Sequence, residues 1–413
     1  MEEDDPDAVF LPGMILPQVE VNFAGSFRFS CKVQVVYRRP LSSPDTGSRV
    51  KCGLALLDIS AEDHNKLLGL LPHAKNKHCY VCNRVDLDVL WDFFFETGFI
   101  YPQKYAFILS NKEKIKETYE RLYNGDSIIA RHFTYQNNEQ ILGHIAMLRF
   151  YDKAWMIHHH AGNTAASARA GLDVLNQIGR YILDSHRLHS IHMDYMLCFF
   201  RPQNKFPSRV FGRITRNIND PDGSSIDTFA YFHFQRSRAN QQKLPSGWEL
   251  GPIQNDDLLS LKYFYEEISG GLMIEVLNLE PETKEMGALI SEYEHLGLRR
   301  ERHLFALKKN SRLTAVIIAN ISDVGLNLSD LTSSLSVIVI DPSAITRTVI
   351  EDALQLVSEL YTQEEVPVMM YPDRCAEDMA IPVEKLYNLW IMKTEYSDHY
   401  FRHLKRLLKF VGL

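Results

Sequence analysis

One stretch constrains the fold more than any other. Residues 154–161 read as a strand, 161–171 as a junction of small residues, 167–184 as a helix, and 191–200 as a further strand. A strand that feeds a helix through Gly162, Ala165, Ala166, Ala168 and Gly171 commits this part of the chain to helix packed on sheet, an α/β architecture. It also creates a place for an anion, because backbone N–H groups and the helix dipole converge at such a junction.

The flanking pattern extends the reading. A strand at 79–85, helices at 87–94 and 112–122, and strands at 126–134 and 140–151 precede the junction, and a strand at 227–234 follows it. Asn137-Asn138 and Asp152-Lys153 mark the turns. Residues 248–410 repeat this order: strand 248–253, helix 256–277, strands 304–308, 313–321 and 335–340, helix 347–360, strands 366–371 and 387–394, then a basic amphipathic helix 400–410. The repeat is of element order, without residue identity. Upstream, Phe27, Phe29, Cys31, Val33, Val35 and Tyr37 alternate as one face of a strand. Ser60 and Asp63 then open a short helix as cap and capping-box residue.

Length and charge set outer bounds. A chain of 413 residues exceeds the roughly 250–300 at which single cores stop growing, so two or three domains are expected. The formal net charge of -7 gives no general attraction to nucleic acid or to an anionic membrane. The acidic opening Met1-Glu2-Glu3-Asp4-Asp5 does not read as a signal peptide, and no apolar run reaches spanning length. Six scattered Cys fit a reducing compartment, so a cytoplasmic location is expected.

Two resemblances follow from these residues. Leu11-Pro12-Gly13, Val35-Val36-Tyr37-Arg38-Arg39 and Cys52-Gly53-Leu54-Ala55-Leu56-Leu57-Asp58-Ile59-Ser60-Ala61-Glu62-Asp63 resemble the later part of a bacterial PilZ domain, placed at 1–72. That family implies cyclic di-GMP signalling. Its Arg-x-x-x-Arg and Asp/Asn-x-Ser-x-x-Gly elements are missing, which implies a chain starting inside the domain or a degenerate copy. The element order over 79–240 and again over 248–413 resembles tandem GNAT acyltransferase domains, each with a mixed sheet. Tandem domains of this kind also occur in aminoacyltransferases acting on cell-envelope precursors.

The GNAT resemblance implies an acyl-CoA donor, an amine acceptor and a pyrophosphate site at the small-residue junction. The candidates there are Gly162, Asn163, Thr164, Ser167, Ala168, Arg169 and Gly171, of which Arg169-Ala170-Gly171 partly matches the family's Arg/Gln-x-x-Gly-x-Gly/Ala. The second half offers only Asp341-Pro342-Ser343-Ala344-Ile345-Thr346-Arg347, without glycine and with an acidic residue, and reads as structural or as a partner-protein surface. His158 and His160 share a strand face by period 2, with His159 opposite; either suits a general base of near-neutral pKa. Tyr231 is the candidate proton donor to the leaving thiolate. The basic, aromatic stretch 199–213 places Arg201 and Arg209, with Tyr195, as substrate contacts lining the same cleft. The His triplet and Cys79-x-x-Cys82 also allow a metal reading, which lacks ligands at familiar spacing. A non-catalytic scaffold built on the same folds is the alternative.

Overall fold

A computed structural model describes residues 10–23, 27–41, 49–64, 66–67, 76–81, 85–124, 127–167, 169–237, 243–281 and 287–410. Three N-terminal strands, β1 (Ile15–Phe23), β2 (Phe27–Leu41) and β3 (Arg49–Ile59), form an antiparallel sheet of their own. The chain continues through β4 (Cys79–Val81), α1 (Leu87–Glu96), α2 (Tyr105–Ser110), α3 (Lys112–Tyr123), β5 (Ala130–Asn137), β6 (Gln140–Tyr151), β7 (Ala154–Gly162), α4 (Ala170–Ser185), β8 (Tyr195–Phe200) and β9 (Ser224–Gln235). A second passage gives β10 (Trp248–Pro252), α5 (Asn255–Ile268), α6 (Gly287–His295), β11 (Arg300–Lys309), β12 (Arg312–Ser322), β13 (Ser334–Val339), α7 (Arg347–Ser358), β14 (Glu365–Tyr371) and β15 (Lys385–Lys393), and ends on α8 (Ser397–Phe410).

The expected mixed α/β class is what forms. Twelve strands make one sheet in the order β10-β11-β12-β13-β14-β9-β15-β8-β7-β6-β5-β4. The order is a palindrome when each strand of the first passage is matched with its counterpart in the second. Its centre is the antiparallel pair β9 and β15, in register from Tyr231↔Lys385 to Ser224↔Met392. Each passage therefore receives a strand from the other. β15 lies between β8 and β9, and β9 lies between β14 and β15.

Alternation along β7 decides what each face buries. Trp155 and Ile157 join Val174, Ile178 and Ile182 of α4 in one core, while Met156 faces the core of α1 and α3. Burial of such side chains contributes about 1.5–3 kcal/mol each. α8 crosses α4 at Gly179, where an added Cβ would lie 3.0 Å from Leu404. The N-terminal sheet adds Phe29, Cys31 and Val33 to the α4 core. Tyr37 does not share that face: a bulge between Val35 and Tyr37 shifts the register, and Tyr37 is exposed. Ser60 caps the following turn as expected, its Oγ accepting from Asp63 N–H at 3.0 Å. Among the described residues, no helix is long and apolar enough to cross a membrane.

Candidate functional site

β7 and β8 run parallel but pair over only three positions, Ala154↔Tyr195, Trp155↔Met196 and Met156↔Leu197. Beyond Met156 the ladder ends and a cavity of about 260 Å³ opens between the strands. Its lining comes from four directions: His158, His159 and His160 of β7, Phe199 to Arg201 with Phe206 beyond β8, Tyr101 after α1, and Asn327, Ser329 and Tyr387 from the second half.

The separation starts at a bulge. His144 on β6 pairs with Ala161, but Ala146 pairs with His158, so β7 carries one extra residue. His159 takes it up in the left-handed region, with φ of 52°. The strand's period therefore breaks, which corrects the expected facing. His158 and His159 both turn toward α3, their rings 4.0 Å apart, while His160 turns to α4. A bulge strands a carbonyl, and here His144 Nδ1–H donates to the His159 carbonyl at 3.0 Å.

Backbone hydrogen bonds fix the tautomers of His144, His159 and His160. His159 Nε2 accepts from the Leu328 backbone N–H at 3.0 Å, so its Nδ1 carries the proton and donates to Tyr119. His158 Nε2 and the Tyr123 hydroxyl share a hydrogen bond at 3.2 Å, and His158 Nδ1 is buried with no hydrogen-bond partner. Burial holds the pKa of His158 at about 3 and pushes those of His144 and His159 well below the ordinary value. A ring with so low a pKa is a poor proton acceptor at neutral pH. His160 donates Nε2–H to the Gly171 carbonyl at 2.8 Å and keeps Nδ1 as its acceptor. Its pKa is lowered by burial and partly restored by that bond. Of the two expected bases, His160 is the better placed chemically.

The junction uses its small residues differently from the expectation. A Cβ on Gly162 would sit 2.9 Å from Gly171 Cα, so the two glycines let the end of β7 pack against the start of α4. Asn163 Oδ1 accepts from Ala166 N–H at 3.1 Å and its carbonyl from Ser167 N–H at 2.9 Å. Ser167 Oγ accepts from Arg169 N–H at 3.4 Å; Thr164 and Arg169 are exposed, and Ala168 lies outside the described residues. None of these junction residues lines the cavity beside His158–His160.

Three other expected residues lie elsewhere. Tyr195 is at the start of β8, roughly 20 Å of extended chain from Arg201, and its hydroxyl donates to Glu275. Arg209 is exposed on the helical turn after β8 and does not line the cavity. Tyr231 is fully buried, bonded to His233 at 3.3 Å, with burial raising its pKa. It stands behind Tyr387, whose ring meets it edge-on at 5.4 Å and does line the cavity. Arg201 lines the cavity. It lies over the Tyr101 ring at 4.7 Å, and its charge beside the Tyr387 hydroxyl lowers a pKa that burial raises. Phe206 also lines the cleft, its ring 5.4 Å from His160. The expectation missed Tyr387, because only the exchange of β15 brings it here.

Cys79 is buried, its pKa raised to about 11, and Cys82 lies outside the described residues. Among the described residues no group of three or more His, Cys, Asp or Glu is placed to hold a metal. The second half lacks both features of the first. β12 and β13 pair without a register shift, and β13 stays paired with β14 to Ile338↔Tyr371, the last residue of β14. At its junction the Asp341 carboxylate accepts from Ser343 Oγ at 2.6 Å, which lowers its pKa.

No family model and no curated protein matches this chain. Among solved structures it is similar to a GCN5-related N-acetyltransferase from Sphaerobacter thermophilus, at 9% identity and a TM-score of 0.41, covering 77% of this chain and 96% of that one. A putative acetyltransferase from Thermoplasma acidophilum is 12% identical with a TM-score of 0.34, covering 75% and 98%. A tandem GNAT protein from the clavulanic acid biosynthesis pathway is 9% identical with a TM-score of 0.32, covering 64% and 83%. Likenesses at this level establish no activity.

Proposed function

We propose that the first half is an acyl-CoA-dependent N-acyltransferase of the GNAT type whose site is the opening between β7 and β8. One observation carries the reading: a parallel strand pair parts after three residues, beside a left-handed bulge, and leaves a cavity between the strands. An opening between parted strands suits a linear thioester arm. The unpartnered Nδ1 of His158 is a polar group in that lining.

In this reading acyl-CoA supplies the activated acyl group. The acceptor amine forms the new C–N bond as the C–S bond breaks. The amine's proton passes to His160 Nδ1 or to water, and the leaving sulfur takes a proton from Tyr387, whose pKa the nearby Arg201 charge lowers. The second half supplies Tyr387 and one wall, and its own strand pair stays closed. This reading does not draw on the cyclic di-GMP link that the PilZ resemblance implies.

A scaffold reading is favoured by one observation: Gly162 against Gly171, with His160 tied to Gly171, fills the space beside the α4 N-terminus. Calorimetry with acetyl-CoA separates the two. Binding with release of free thiol in the presence of an amine panel supports transfer, and absence of binding by folded protein leaves the scaffold.

A further inference from the structure

A second cavity, about 960 Å³, adjoins the first and shares Tyr101, Arg201 and Asn327 with it. Lys104, Arg201 and Lys385 line it together. Their charges act on one another: burial lowers the pKa of Lys385 most, and Lys104 and Arg201 lower it further. Carboxylates share the lining, Asp323, Asp330, Glu364, Glu365 and Glu384, and of these Glu384 and Asp330 oppose the lowering at Lys385.

The partners of these cations differ. Lys104 is satisfied by Asp330 at 2.6 Å and the Leu328 carbonyl at 3.0 Å. Arg201 and Lys385 instead rest on aromatic faces, Tyr101 at 4.7 Å and Tyr231 at 5.0 Å. Among the described residues neither has a carboxylate within ion-pair distance, whereas carboxylates of the same cavity are engaged: Glu384 with His233 at 2.8 Å, Asp323 with the Arg299 N–H at 2.6 Å. A cation on a ring keeps donors available for an oxyanion, and hydrogen bonds to ionised groups are the strong ones.

We propose that this cavity binds an oxyanion, a carboxylate or phosphate, carried by the acceptor, through Lys385 and Arg201. The acceptor role rests on the transfer reading above; the oxyanion site does not. Arg201 borders both cavities, so an acceptor anchored there can reach the strand opening with its amine.

Ligand-observed NMR on the full chain tests it, with acetate and inorganic phosphate as separate probes. At least one is expected to bind wild type, to weaken tenfold or more in Lys385→Met, and to persist in Lys385→Arg, which keeps the charge and controls for folding. Binding of acetate alone points to a carboxylate, and of phosphate alone to a phosphoryl group. Binding of neither probe, or equal binding to Lys385→Met, overturns the site. Acetyl-CoA titrated into the same protein separates the two readings. Acetyl-CoA binding without oxyanion binding overturns this proposal and leaves transfer standing. Oxyanion binding without acetyl-CoA binding supports the site and overturns its assignment to an acceptor.

Discussion

The two halves lay down the same elements in the same order, yet only one opens its parallel strand pair. In the first, β7 gains a residue, His159 turns left-handed, and β7 leaves β8 after Met156. In the second, β13 and β14 stay joined to the end of β14. One inserted residue, held by His144, His159 and the Leu328 backbone, separates a strand pair with a cavity from a closed one. The closed half is not idle: it lends β15 and the loop at Asn327–Ser329 to its neighbour's lining.

Acid should break the symmetry most. His144, His158, His159 and His160 are neutral when folded but titrate near 6.5 when unfolded, so the unfolded chain takes up protons first. Their contribution is complete above pH 6.5 and falls as pH drops through that value toward the folded pKa, about 3 for His158. A ring shifted this far costs about 2 kcal/mol at pH 5 relative to pH 7. Hydrogen exchange at pH 5 should show β6 and β7 losing protection before β12 and β13; equal loss would mean the halves unfold as one unit.

The bulge comes next. His159→Ala strands Tyr119 and the Leu328 N–H, at about 1–3 kcal/mol per buried group. Urea unfolding should show a loss of about 3 kcal/mol, against roughly 0.5 or less for His303→Ala on β11, which is not buried.

Much of this was legible in sequence. Strand and helix order follows from apolar periodicity, and Ser60 and the small-residue junction were visible locally. Long-range pairing was not. Alternation along 224–235 and 385–393 looks the same whichever strand lies beside it, so the exchange of β9 and β15, and with it the choice of Tyr387 over Tyr231, left no local signal. Period 2 put His158 and His160 on one face because the bulge at His159 depends on His144, fifteen residues away. Gly162 and Gly171 read as room for a phosphate, yet what they admit is each other.

Smaller effects sharpen the contrast. Arg201→Met should weaken an anionic ligand by about 1.5–3 kcal/mol, measured by calorimetry. Arg347→Met, at the second junction and bonded to Glu351 and the Ala380 carbonyl, should leave affinity unchanged. Arg169→Glu, exposed at the start of α4, should lower acyl-CoA affinity by about 0.3–1 kcal/mol without moving Tm. Unchanged affinity there would place the donor's phosphates away from this junction.

Hydrogen exchange of the full chain with and without acetyl-CoA tests the central claim most directly. The account requires new protection at 157–171 and 198–207, and none at 334–347. Protection at 334–347 in place of the first-half segments, or no change anywhere at saturating acetyl-CoA, would contradict it.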